Sequence, residues 1–144
     1  MLLKDLLATK SQIDIITIRP QATVLAAMQT MCESKVGALL VQEGDHSPVG
    51  IISERDVLRY SAYHAAYLEE TKVEGVMTKD LIVATLEMDI DHAMHLMTEN
   101  KFRHLPIVDG HKVITMISIG DLVKAQLTET SVEAKYLRDY ITLV

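Results

Sequence analysis

The sequence predicts a mixed α/β fold: two copies of one β-α-β-β-α unit, followed by a C-terminal helix. Two observations predict it. The chain repeats itself, because Val24, Ala27, Met28 and Met31 recur at a constant offset as Ile90, Ala93, Met94 and Met97. The correspondence continues from Lys35–Val41 into Lys101–Ile107, and from Ile51-Ile-Ser53-Glu-Arg-Asp56 into Met116-Ile-Ser118-Ile-Gly-Asp121. Each copy also changes hydrophobic period along its length, from β-branched runs to helical spacing and back.

The elements follow in order. A short β-branched run opens each copy, Ile15–Ile18 and Leu81–Ala84. Thr23 and Asp89 stand where N-caps belong, ahead of helices whose apolar residues fall at i, i+3, i+4 and i+7. An apolar strand comes next, Ala38–Val41 or Leu105–Val108, then a turn rich in Gly and Asp. A second strand, Val49–Ile52 or Val113–Ile117, completes a hairpin, and a helix starting near Glu54 or Ile119 closes the copy. The last stretch, from Ser131, reads as an added helix with Ala134, Leu137, Arg138 and Ile141 at helical spacing and an incomplete capping box. Residues 1–72 thus hold the first copy with an N-terminal extension, 73–128 the second copy, and 129–144 the C-terminal helix. One copy of about 60 residues would bury too little surface by itself, so the two are expected to share a core. The apolar residues of Leu2–Leu7 and of the last helix need a partner surface, either the domain itself or a second subunit.

Composition narrows the function. With 144 residues and 49% of them apolar, the chain is no disordered tail. A single cysteine excludes an intramolecular disulfide framework and fits a reducing compartment, so a soluble cytoplasmic module is expected. No apolar run approaches a membrane span, and the start has no signal-peptide pattern. The net charge of -6, with no Trp and one Phe, argues against charge-driven or stacking-driven nucleic-acid binding.

The duplicated unit, with Gly50-Ile-Ile-Ser-Glu-Arg-Asp56 ending a strand, Val76-Met-Thr-Lys79 entering the second copy and His104-Leu-Pro-Ile-Val-Asp109 within it, resembles a pair of cystathionine β-synthase (CBS) domains. The resemblance covers both copies. It implies two repeats related by pseudo-twofold symmetry, a tandem known as a Bateman module. It also implies adenosine-containing ligands held in clefts between the copies, a regulatory role, and a homodimer.

Ser53 and Asp56 have two compatible readings. Their spacing suits a capping box, as does that of Ser118 and Asp121. The same helix start suits a ligand: free N–H groups and the dipole for phosphate, a hydroxyl from Ser53, a forked cation from Arg55, and an Asp56 carboxylate that can accept ribose hydroxyls. In the resembled family the matching Asp holds ribose. The resemblance adds Ile51, Thr78, Lys79, Ile82, Arg103 and His104 to this nucleotide site. Lys79 would neutralise phosphate, and Ile82 would offer adenine an apolar wall or a backbone edge. A second site is implied at Ile16, Val36, Gly37, Ala38, Ser118 and Asp121. It is expected to be weaker, because Gly120 stands where the first copy has Arg55.

Other groupings read as structure. His92 and His95 lie off the apolar helix face and suit a solvated surface better than a metal. Cys32, beside that face in the first copy, is expected to be a buried, inert thiol. Tyr60, Tyr63 and Tyr67 suit packing or a dimer interface. No nucleophile–base set or metal motif is visible, so no enzyme and no required cofactor are expected. The expected function is a regulatory module for AMP, ADP or ATP. NAD(H) or S-adenosylmethionine is the alternative, a small enzyme or a nucleic-acid binder the lesser ones. With no effector domain in the sequence, the output is expected to pass through a separate protein partner or the oligomer.

Overall fold

The computed structural model describes residues 1–9 and 15–143. Helix α1 (Leu3–Thr9) is followed by β1 (Thr17–Ile18), α2 (Val24–Ser34), β2 (Ala38–Val41), β3 (Gly50–Ser53) and α3 (Glu54–His64). After two single 3-10 turns, Ala65–Tyr67 and Val73–Gly75, the order repeats with β4 (Ala84–Thr85), α4 (Ile90–Asn100), β5 (His104–Asp109), β6 (Lys112–Ser118) and α5 (Ile119–Leu143). The β-α-β-β-α order expected from the sequence is present twice.

The strands form two three-stranded sheets of the same design, β1-β2-β3 and β4-β5-β6. β1 runs parallel to β2 with Thr17 opposite Leu40, and β2 runs antiparallel to β3 with Ala38 opposite Ser53. β4 runs parallel to β5 with Ala84 opposite Ile107. The opening strands are shorter than the β-branched runs suggest. Ile16 lies before β1, although its carbonyl accepts the Leu40 N–H at 3.1 Å, and Ile82 lies before β4.

Local chemistry sets the helix ends. The Thr23 hydroxyl accepts from Ala26 N–H, and the Asp89 carboxylate from Asp91 N–H, so both expected N-caps are formed. α2 and α4 each stop at a lysine in the left-handed region, Lys35 (φ 55) and Lys101 (φ 58). Their N–H groups donate to the carbonyls of Met31 and Met97.

Contacts divide the chain into two compact units. One gathers the chain up to Ile82 from just before Ile15, with Gly110–Ile114. Its core is the buried face of α2 (Val24, Ala27, Met31) against Leu39, Val41, Ile52, Val57 and Val73. The other gathers the first residues, Val83–Asp109 and the chain from Thr115 onwards. In it Leu3, Leu6 and Leu7 of α1 are buried, and the N–H groups of Leu3 and Lys4 donate to the carbonyls of Met88 and Leu86 at 2.8 and 2.9 Å. The N-terminal extension therefore packs with the second copy, and contacts divide the chain differently from a cut along the sequence.

One helix replaces an expected pair. The helix closing the second copy and the one starting at Ser131 are a single α5, because Leu127–Ser131 contains no Gly or Pro to break it. Val144 lies outside the described residues. Among the described residues, no helix is long and apolar enough to cross a membrane.

Candidate functional site

The candidate site grows from the junction of β3 and α3. Thr78 forms a two-bond antiparallel bridge with Ile51: Ile51 N–H donates to the Thr78 carbonyl at 3.0 Å, and Thr78 N–H to the Ile51 carbonyl at 2.8 Å. The bridge demands glycine at position 50. A Cβ there would lie 2.7 Å from both the Thr78 carbonyl oxygen and the Met77 sulfur.

Two residues after the bridge, Ser53 ends the strand and caps α3. Asp56 in the first helical turn is only 8% exposed, so its carboxylate must find its partners within the protein. Oδ2 accepts the Ser53 N–H at 2.9 Å and the Ser53 hydroxyl at 3.1 Å, while Asp56 N–H donates back to Ser53 Oγ at 3.4 Å. This is the capping box expected from the spacing. A third donor comes from the bridged segment: Thr78 Oγ1 donates to Asp56 Oδ1 at 3.1 Å. Two hydroxyls therefore converge on one buried carboxylate at a helix start.

Gly37 closes another side of the same junction. Its carbonyl accepts the first N–H of α3, from Glu54, at 3.0 Å, and its neighbour Ala38 is paired with Ser53. Of the residues singled out in the sequence, Ile51, Ser53, Asp56, Thr78, Gly37 and Ala38 are thus brought together. Arg55 is exposed in the first turn of α3, and Lys79 is exposed next to Thr78. Ile16 and Val36 pack as half-buried residues against the α2 core.

The second copy builds a reduced version. Asp121 Oδ2 accepts the Ser118 N–H at 2.9 Å, and Asp121 N–H donates to Ser118 Oγ at 3.2 Å. The Arg103 carbonyl accepts the Ile119 N–H at 2.8 Å, as Gly37 does for Glu54, and His104 opens β5 beside it. Thr115, at 2% exposure, occupies the place of Gly50. Gly120 is exposed where the first copy has Arg55.

The remaining candidates separate. Cys32 is exposed, contrary to expectation: α2 buries Val24, Ala27 and Met31, and one residue further turns the side chain about 100° away from that face. His92 is exposed, and His95 Nε2 lies 2.9 Å from Glu99 Oε1 on the same helix. Among the described residues, no group of three or more His, Cys, Asp or Glu side chains is placed to hold a metal. The tyrosines do not act as one stripe. Tyr60 bonds to the Thr71 hydroxyl and stacks on His64 at 4.8 Å, whereas Tyr63 and Tyr67 are exposed. The Thr78–Asp56 bond was not foreseeable from spacing, since its ends lie 22 residues apart.

Comparison with known proteins finds relatives by sequence and by fold. A model of the CBS domain matches residues 3–63 and 73–128. The mitochondrial CBS domain-containing protein CBSX3 of Arabidopsis thaliana is 40% identical over 123 residues, 83% of this chain and 60% of its own length. The chain therefore spans about three fifths of that relative. A crystal structure of a CBS-domain protein from Agrobacterium tumefaciens superposes with a TM-score of 0.83 at 32% identity, covering 88% of this chain and 99% of that one. A crystal structure of CBSX2 in complex with AMP superposes with a TM-score of 0.72 at 26% identity, covering 90% and 98%.

Proposed function

The chain belongs to the CBS-domain family, and from that membership we propose that it is a regulatory module binding an adenosine nucleotide, AMP, ADP or ATP, at the Ser53–Asp56 helix start. One observation carries the reading: the buried Asp56 carboxylate already takes hydroxyl donors from Ser53 and Thr78. A carboxylate that accepts hydroxyls in this way suits the two hydroxyls of a ribose. It offers about four acceptor positions. Three are occupied, so a ribose diol takes the open one and replaces the Thr78 hydroxyl. The N-terminal turn of α3, Arg55 within it and Lys79 beside Thr78 supply donors and positive charge for phosphate. The AMP held by CBSX2 supports the same ligand class.

Ser118 and Asp121 form a second, weaker site in this reading, because the cation that Arg55 provides has Gly120 as its counterpart. The module works without catalysis or a required cofactor and passes its output to a separate protein. The single Cys32 supports the cytoplasm as the compartment.

Thermal shift and calorimetry against AMP, ADP, ATP, NAD and S-adenosylmethionine test the reading, since a ligand of the native state raises the midpoint by mass action. At least one adenine nucleotide should raise it. Asp56→Ala and Asp56→Asn, checked for retained fold by circular dichroism, should abolish the dominant response, and Asp121→Ala should reduce it less. Equal losses at the two aspartates overturn the ranking of the sites. A chain indifferent to all five compounds overturns the ligand class.

A further inference from the structure

A lysine-flanked groove runs along α5. Leu122 and Ala125 turn inward and are buried, while Val123 and Leu127 are 40% and 63% exposed. These two line the groove together with Gly120, Lys124, Ser131 and Lys135. The members follow one another at helical spacing, so they share one side of the helix. Val123 and Leu127 keep apolar surface in water there, and a partner that covered them would remove it. Gly120 and Ser131 are small and exposed. A second helix can come close at these two points, with its side chains set between Val123 and Leu127.

Charge selects the occupant. The chain carries a net charge of -6, yet no Asp or Glu lines this groove. Its ionised side chains are Lys124 and Lys135, both exposed. Among the described residues, no carboxylate pairs with either. The two stand about three helical turns apart, roughly 16 Å along the axis. A twofold contact with a second copy would set this face against itself, lysine against lysine, and like charges oppose such a contact. A partner with carboxylates at the matching spacing completes both pairs instead. An anionic membrane is the poorer fit, because two lysines are a weak anchor for a chain whose other charges are mostly acidic.

We propose that the α5 groove docks an amphipathic helix whose apolar stripe is flanked by Asp or Glu, carried by the separate protein that receives the module's output. This rests on the regulatory reading given above. The probe is a fluorescein-labelled helical peptide with a leucine stripe flanked by Glu, beside a twin with Lys in place of every Glu. In fluorescence anisotropy with the full chain, the Glu peptide should bind several-fold more tightly than its twin, and high salt should narrow the gap. Lys124→Glu with Lys135→Glu should invert that preference and keep the wild-type circular dichroism spectrum, because both side chains are exposed. Leu127→Asp should weaken both peptides. Should the charge-reversed variant lose its fold, Lys124→Gln with Lys135→Gln decides, by erasing the preference. Equal affinity for the twins, no binding of the Glu peptide, or an unchanged preference after charge reversal overturns the proposal. So does binding to phosphatidylserine vesicles in place of the Glu peptide, or a wild-type dimer that Leu127→Asp dissociates. Thermal shift with AMP, ADP and ATP is read on the same samples. A nucleotide response without peptide discrimination overturns this surface alone, and discrimination without a nucleotide response supports it while overturning the nucleotide reading.

Discussion

The Thr78 hydroxyl donates to Oδ1 of Asp56 at 3.1 Å, tying the segment after the second 3-10 turn to the first turn of α3. Asp56 is nearly buried, so this bond satisfies an oxygen that has little access to water. Thr78→Val removes the donor and keeps the shape. It should cost about 1–2 kcal/mol in urea unfolding, the penalty for depriving a buried acceptor of its partner. Thr78→Ser, which keeps the hydroxyl, should cost much less. Equal midpoints for the two variants would show that the bond contributes nothing.

Gly50 sits where β3 meets the bridged segment, and its cost of substitution is steric. The Met77 side chain can swing away from a new Cβ, but the Thr78 carbonyl is held by the Ile51 N–H at 3.0 Å. Gly50→Ala should therefore destabilise by roughly 1–3 kcal/mol. It should also weaken nucleotide binding, since displacing the Thr78 backbone moves the adjoining Lys79, which supplies positive charge for phosphate in the proposed site. A variant with wild-type stability and wild-type ligand response would place the rigidity elsewhere.

Much of this site was legible because it is local. The reciprocal bonds of Ser53 with Asp56, and of Ser118 with Asp121, follow from a three-residue spacing at a strand-to-helix junction. Thr23 and Asp89 were legible for the same reason. What escaped depends on distant chain segments. Nothing in Leu3 or Lys4 names Met88 and Leu86 as their acceptors, and nothing in Thr78 names Asp56. The shortness of β1 reflects pairing along β2, which composition does not encode. Cys32 is different, since its exposure follows from the turn angle after Met31 and was open to reading.

Arg19 and Glu43 give a pH prediction with a definite sign. The Arg19 guanidinium donates to Glu43 Oε1 at 2.7 Å, and together with a bond from Gln21 it holds the Glu43 carboxyl below the usual carboxylate range. A depressed folded-state value stabilises the fold above the unfolded pKa, and that contribution fades as pH falls through the folded value. Arg19→Ala should move the Glu43 titration upward when followed by carboxyl NMR. The pair is solvated, so neutral-pH stability should barely change. An unmoved titration would assign the depression to other neighbours.

Lys35 ends α2 at φ 55 and ψ 44, a left-handed conformation that costs a residue with a Cβ about 1–2 kcal/mol. It is held there because Lys35 N–H and Val36 N–H both donate to the Met31 carbonyl and close the helix end. Glycine adopts this conformation without the clash but loses roughly 0.5–1 kcal/mol of chain entropy on folding. Lys35→Gly should therefore raise stability by about 0.5–1 kcal/mol in urea unfolding, the difference between the two effects. Lys35→Ala separates backbone from side chain, because it deletes the lysine yet keeps the Cβ. It should bring no gain. If alanine stabilises as much as glycine, the benefit comes from removing the lysine side chain, and the left-handed backbone at this cap is not strained.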